Sequence, residues 1–235
     1  LRATVLRDMW SLIEVDLDQG RSAFPRYFAK TFRHATTESE REDVREWFDN
    51  KIDAQPDSAD LYSPKSVTGE WMIEYVGEEL SDEAFESVCR ETGQYIRLVE
   101  RKLDAEQLDE ALDCARHASP KEAAKLCWTF FDRGQLDALV EAELLPDPRH
   151  EPIPGSDLRD TALMLIENRN IEEACRWVRI ALREIPLREG LYEFRDAAEE
   201  TGVYDDRLEE ALLEEPLDHW PEEVFDFHLQ FDDVA

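Results

Sequence analysis

The chain of 235 residues carries 57 Asp and Glu against 27 Lys and Arg, a formal net charge of −30, with 42% hydrophobic residues. That apolar content excludes a disordered chain. The missing basic surface excludes nucleic-acid binding by counterion release. No apolar run approaches the roughly 18 residues of a membrane-spanning helix, and no signal peptide is visible, so no membrane partner is expected.

The predicted elements are almost all helices, and their ends are marked in chain order. Thr37 with Glu40 has the spacing of a capping box and predicts an amphipathic helix from there to about Lys51. Gln55 to Ser63 is polar. Ser63 followed by Pro64 predicts an N-cap and a first-turn proline. Ser119-Pro120-Lys121-Glu122 combines both devices, with Ser119 as cap, Pro120 at the first position and Glu122 reaching back. Gly93, Gly134 and Gly202 fall where helices stop. Between these marks apolar residues recur every three or four positions, as in Ala124, Cys127, Trp128 and Phe131.

The C-terminus departs from this pattern. Phe225, Phe227, Leu229 and Phe231 alternate with Asp226, His228, Gln230 and Asp232, the period of a half-buried strand. A short extended segment there would pack along the helices, form the edge of a missing domain or add to another protein's sheet, and the alternative is a terminal helical turn with a frayed tail. Pro146 to Ser156 holds four prolines and one glycine and is the best linker. Three sections result: an N-terminal helical section 1–62, helical hairpins 63–147, and further hairpins with a tail 148–235. The chain opens on Leu1 rather than Met, which leads us to expect a piece of a longer protein.

A short phrase repeats. Leu108-Asp109-Glu110-Ala111-Leu112 returns as Leu136-Asp137-Ala138-Leu139 and as Ile171-Glu172-Glu173-Ala174-Cys175, with a fainter copy in Leu80-Ser81-Asp82-Glu83-Ala84-Phe85. The leading apolar residues are spaced by 28, 28 and 35 positions. Each of the three clear phrases follows an amphipathic helix and a short polar turn. One helical hairpin cannot bury its own apolar face, so hairpins stack, and a period in this range means a helical solenoid; the alternative is an irregular helical bundle whose repeated phrases are ordinary amphipathic helix. The small Ala lets two helices approach closely.

The phrase resembles the second helix of tetratricopeptide-type repeats, which implies an α-solenoid that binds a protein or peptide. The Trp, Gly and Tyr pattern of that family's first helix is missing. Ile171 to Leu212 also resembles the helical repeats of SWIM-zinc-finger proteins. Their zinc-binding Cys/His motif is absent, so no nucleic-acid role is carried over.

The acid excess extends from Asp16 and Asp18 to Asp232 and Asp233, and the basic side is 21 Arg with only 6 Lys. This resembles cytosolic proteins of haloarchaea and implies a high-salt cytoplasm. The screening length falls to about 3 Å in molar salt, which relieves the self-repulsion of so many like charges. The densest basic run, Arg176, Arg179, Arg183 and Arg188, is interleaved with Glu172, Glu173, Glu184 and Glu189.

No residue pattern marks a catalytic site. Cys89, Cys114, Cys127 and Cys175 form no C-x-x-C pair and sit in apolar helical patterns, as buried free thiols do. His219 and His228, near Asp218, Glu222 and Asp226, lack a same-face helical spacing, so no metal and no cofactor is expected. Phosphate loops, nucleophile elbows and dinucleotide fingerprints are absent. Among the helical aromatics, Trp128, Phe130 and Phe131 radiate from a single turn, which predicts that one ring is exposed as a partner anchor. The expected function is a non-catalytic interaction or scaffold module. The alternatives are an enzyme or accessory domain with an unfamiliar acidic or metal-dependent site, and a helical part of a larger regulatory or defence protein.

Overall fold

The computed structural model describes residues 2–18, 26–56, 63–119, 122–149, 153–185 and 187–219. Among them are thirteen helices and no strand, so the protein is all-α. The segment Phe225–Phe231 and His228 lie outside the described residues. The chain divides into two compact units, Leu1–Arg101 and Lys102–Ala235.

The first unit holds α1 (Arg2–Asp18), α2 (Arg26–Ala35), α3 (Glu38–Ala54), α4 (Pro64–Val76), α5 (Asp82–Thr92) and most of α6 (Tyr95–Asp104). Helix α4 is its centre. Ten of its 13 residues are buried, and α1, α2, α3 and α5 all pack on it. A helix buried all round needs apolar or small residues on every face, which Val67, Gly69, Trp71, Met72, Ile73 and Val76 supply. Gly69 sets the α4–α5 approach: a Cβ there would lie 2.2 Å from Thr92 Oγ1. On the other side an aromatic cluster closes the core. Trp10 stacks on Phe32 at 5.8 Å and meets Trp47 edge-on at 4.5 Å, while Phe48 lies 6.1 Å from Tyr75. The Tyr75 and Thr36 hydroxyls share a buried hydrogen bond of 2.8 Å.

The expected caps are in place. Thr37 accepts from the Glu40 backbone N–H, and the Glu40 carboxylate accepts from the Thr37 backbone N–H, the reciprocal capping box. Ser63 accepts from Ser66 N–H, with Pro64 in the first turn of α4. After Ser119 the α-helix begins at Ala123 with Glu122 at its cap, and Glu122 donates its N–H to the Ser119 carbonyl at 2.8 Å. Pro120 and Lys121 lie outside the described residues.

The second unit holds α7 (Leu108–Ala115), α8 (Ala123–Phe131), α9 (Leu136–Glu141), α10 (Gly155–Glu167), α11 (Ile171–Glu184), α12 (Leu187–Thr201) and α13 (Asp206–His219). Helix α10 packs on α8, α11 and α12; α11 packs on α10, α12 and α13; α8 packs on α9. Trp177, Phe130, Phe194, Leu165 and Leu208 are among its fully buried side chains. The Pro146–Ser156 stretch is not linker to its end, because Pro154 caps α10 and Gly155 is its first residue.

One turn geometry recurs at the helix ends. Gly93, Gly134 and Gly202 have φ of 73°, 63° and 69°, and Glu106, Glu143 and Arg169 take the same left-handed conformation. In each case the next residue donates its N–H to the carbonyl five positions back, as in Gln107 to Lys102, Gln135 to Phe130 and Asn170 to Leu165, each at 2.9 Å. The same Gln107, Gln135 and Asn170 then accept the first backbone bond of the following helix. The sequence phrase is thus the first turn after a left-handed stop. The fourth position of the phrase is fully buried in all three copies, as Ala111, Leu139 and Ala174. Leu136-Asp137-Ala138-Leu139 therefore aligns by Leu139. Ala138 is only half-buried, so the small residue of the phrase is fully buried at Ala111 and Ala174 alone.

Side chains tie successive turns together. Arg133, after α8, donates Nε to Asp104 Oδ1 at 2.9 Å. Asp137 Oδ1 accepts from Asn168 Nδ2 and Asn170 Nδ2, both at 2.9 Å. Arg169 Nη2 donates to the Thr201 carbonyl at 3.1 Å. The turns before α7, α9, α11 and α13 are joined in order by these three contacts.

Candidate functional site

The three aromatics of α8 separate by helical phase. Ala124, Cys127 and Phe130, three residues apart, form the buried stripe that faces the core. Phe130 is completely buried, so it offers no face to a partner and leaves the group in which the sequence placed it. Trp128 points the other way and is 51% exposed. Phe131 is half-buried beside it, their rings edge to face at 5.9 Å. Phe131 holds one side of the Trp128 indole and leaves its other face to solvent. Asp132, one turn beyond Trp128, is exposed. Trp71, Tyr75, Trp177 and Phe194 are core residues.

Under Trp128, Cys127 faces inward. Burial pushes its thiol up to about 12, opposed only in part by the neighbouring Thr161 hydroxyl of α10. A thiol held that far above neutrality is no nucleophile. All four cysteines are free and buried.

A second feature was not legible in the sequence. A cavity of ≈ 390 Å³ opens between the first turn of α10 (Gly155, Ser156, Arg159), the end of α11 (Glu184, Ile185) and α12 (Gly190, Glu193). The glycines permit the close approach of its walls: a Cβ on Gly155 would lie 3.1 Å from the Glu184 carbonyl, and one on Gly190 would lie 2.6 Å from Ile185 Cδ1. Arg159 donates Nε and Nη2 to Asp160 Oδ1 at 3.0 and 2.9 Å, and its Nε stands 3.8 Å from Glu193 Oε2. The positive start of α10 and the negative end of α11 meet here and partly cancel. The side chains then decide the local charge, and Glu184 and Glu193 exceed Arg159.

Elsewhere the charged groups pair with one another. Arg33 binds Glu78 and Glu79 at 2.9 and 2.8 Å, and these bonds hold the Glu78 carboxyl below its ordinary value. Arg97 bridges Glu74 and Glu100. Burial raises the Glu173 carboxyl although Arg176 lies 2.8 Å away. Among the described residues no group of three or more His, Cys, Asp or Glu side chains could hold a metal ion, and no described helix is long and apolar enough to cross a membrane. Comparison with known protein families, characterised proteins and solved structures finds no match.

Proposed function

We propose that the chain is a non-catalytic interaction module, in which α8–α9, α10–α11 and α12–α13 form a short tetratricopeptide-like stack that binds a protein or peptide. Support for the stack comes from the packing of the first helices α8, α10 and α12 in sequence, and of the second helices α11 and α13 on each other. The ties between successive turns add to it. Repeat units that touch only their neighbours in this way build extended binding surfaces.

Trp128 is the observation that carries the binding role. A large aromatic that is half exposed on a packed helix costs free energy in water, and such side chains dominate interface energetics when a partner covers them. The acid is dispersed over both units, with exposed carboxylates on α3, α7, α11 and α12. That distribution supports a high-salt cytoplasm as the setting.

Selection from a random peptide library in molar potassium chloride tests the role. The chain should enrich a consistent peptide motif that Trp128→Ala fails to enrich. Enrichment of the same motif by both would remove Trp128 as the anchor, and no enrichment by either would count against peptide binding.

A further inference from the structure

We infer that the cavity between α10, α11 and α12 receives a basic side chain, lysine or arginine, from the bound peptide. This rests on the interaction role above and adds the chemistry of the partner. At ≈ 390 Å³ the cavity lies within the usual range of ligand pockets, about 300–1,000 Å³, with ample room for one long side chain.

Its charge selects the occupant. Arg159 is the one basic residue among the described lining residues, and Asp160 and Glu193 already hold its guanidinium. Glu184 has no ion-pair partner among the described residues. It closes α11, where the helix dipole disfavours a carboxylate and favours a cation such as the adjacent Arg183. A carboxylate at a helix C-terminus, on the wall of a cavity, with no ion-pair partner among the described residues, breaks a local rule. A bound ammonium or guanidinium supplies that compensation. Glu193, on α12, also lines the cavity, so an incoming cation meets a second carboxylate there. The Ile185 side chain and the two glycines leave an apolar surface for the methylene stem, the arrangement that long basic side chains use. Position agrees as well. Arg159 and Glu193 stand on the first helices of two adjoining hairpins, and Trp128 stands on the first helix of the hairpin before them, so the anchor and the pocket fall on consecutive units.

The test is nuclear magnetic resonance of the full chain, labelled with nitrogen-15, in molar potassium chloride. The Gly155 and Gly190 amide signals are followed during titration with N-acetyl-arginine methylamide, its lysine and leucine counterparts, and N-acetyl-glutamate. The expected result is a saturable shift with the arginine or lysine probe and none with the other two. The dissociation constant should rise about fivefold in the Glu184→Gln, Glu193→Gln double variant, exposed charge contacts being worth up to about 1 kcal/mol in all at high salt. Both side chains are exposed, so the variant keeps the fold, and unchanged circular dichroism verifies it. Signals that ignore both basic probes, that answer the leucine or glutamate probe equally, or that respond identically in the double variant overturn the inference. Trp128→Ala should leave this titration unchanged. Loss of peptide enrichment in Trp128→Ala together with a silent cavity would therefore overturn the pocket and leave the interaction role standing.

Discussion

Asn170 donates its Nδ2 to Asp137 Oδ1 at 2.9 Å across 33 positions of sequence. Asp137 opens α9, Asn170 precedes α11, and Asn168 shares the same acceptor at 2.9 Å. Each is a short polar residue beside a turn, where a side chain can reach the next hairpin without crossing its core. Asp137→Ala removes the acceptor of both bonds. A hydrogen bond to a charged group contributes roughly 1.5–3 kcal/mol when protected, and here the groups are exposed, so a loss of about 1 kcal/mol in urea unfolding is expected. Asp109 holds the corresponding place after Leu108 and makes no such bond, so Asp109→Ala should stay within about 0.5 kcal/mol of the parent. Equal effects of the two would remove the tie between turns.

Backbone conformation gives two changes of opposite sign. Gly69→Ala places a Cβ 2.2 Å from Thr92 Oγ1 on the facing helix, and such overpacking costs about 1–3 kcal/mol. Glu106→Gly relieves a left-handed non-glycine residue with φ of 59°. The strain is about 1–2 kcal/mol, offset in part by the greater freedom of glycine in the unfolded chain. A net gain of about 0.5–1 kcal/mol should appear in the same unfolding measurement.

The buried Cys127 thiol sets an alkaline limit. Its value rises from 9.0 to about 12 on folding, chiefly through desolvation. The folded-state value is the higher one, so the contribution is fully present below pH 9 and is lost as pH climbs toward 12. Stability should therefore fall between these limits at up to about 1.4 kcal/mol per pH unit from this group, and Cys127→Ala should flatten that part of the curve. A thiol reagent at pH 8 should label all four cysteines only after denaturation.

The dispersed exposed carboxylates predict a salt-dependent fold. From dilute buffer to molar potassium chloride, the thermal midpoint followed by far-UV circular dichroism should rise by about 10 °C, or roughly 3–4 kcal/mol at 2–4 °C per kcal/mol. An unchanged midpoint would remove the high-salt setting.

Much of this fold was legible because helix ends carry local chemistry. Thr37 with Glu40 and Ser63 with Pro64 need only their own neighbours to form caps, and glycine at 93, 134 and 202 marks left-handed stops. The equivalent stops at Glu106, Glu143 and Arg169 were hidden, since neither Glu nor Arg favours that conformation and tertiary packing imposes it. Leu139, three residues after Leu136 as Ala111 is after Leu108, holds the buried place that the sequence assigned to Ala138. The aromatic turn on α8 was visible, yet which ring faced outward depended on the phase set by Ala124 and Cys127 against α10. The cavity was invisible, because its walls come from residues up to 38 positions apart in sequence, Gly155 to Glu193.

The central claim, that an exposed Trp128 on a hairpin stack anchors a partner, is tested most directly by affinity capture from source lysate in molar potassium chloride. The parent chain and Trp128→Ala are compared at equal folded concentration. Trp128→Ala should cost less than about 1 kcal/mol of stability, since the ring is half exposed. Phe130→Ala, in the core of the same helix, should cost about 3–5 kcal/mol. The predicted result is one or two stoichiometric partners on the parent chain, lost from Trp128→Ala while its circular dichroism is unchanged. Equal capture by both chains, or no partner on either, would contradict the claim.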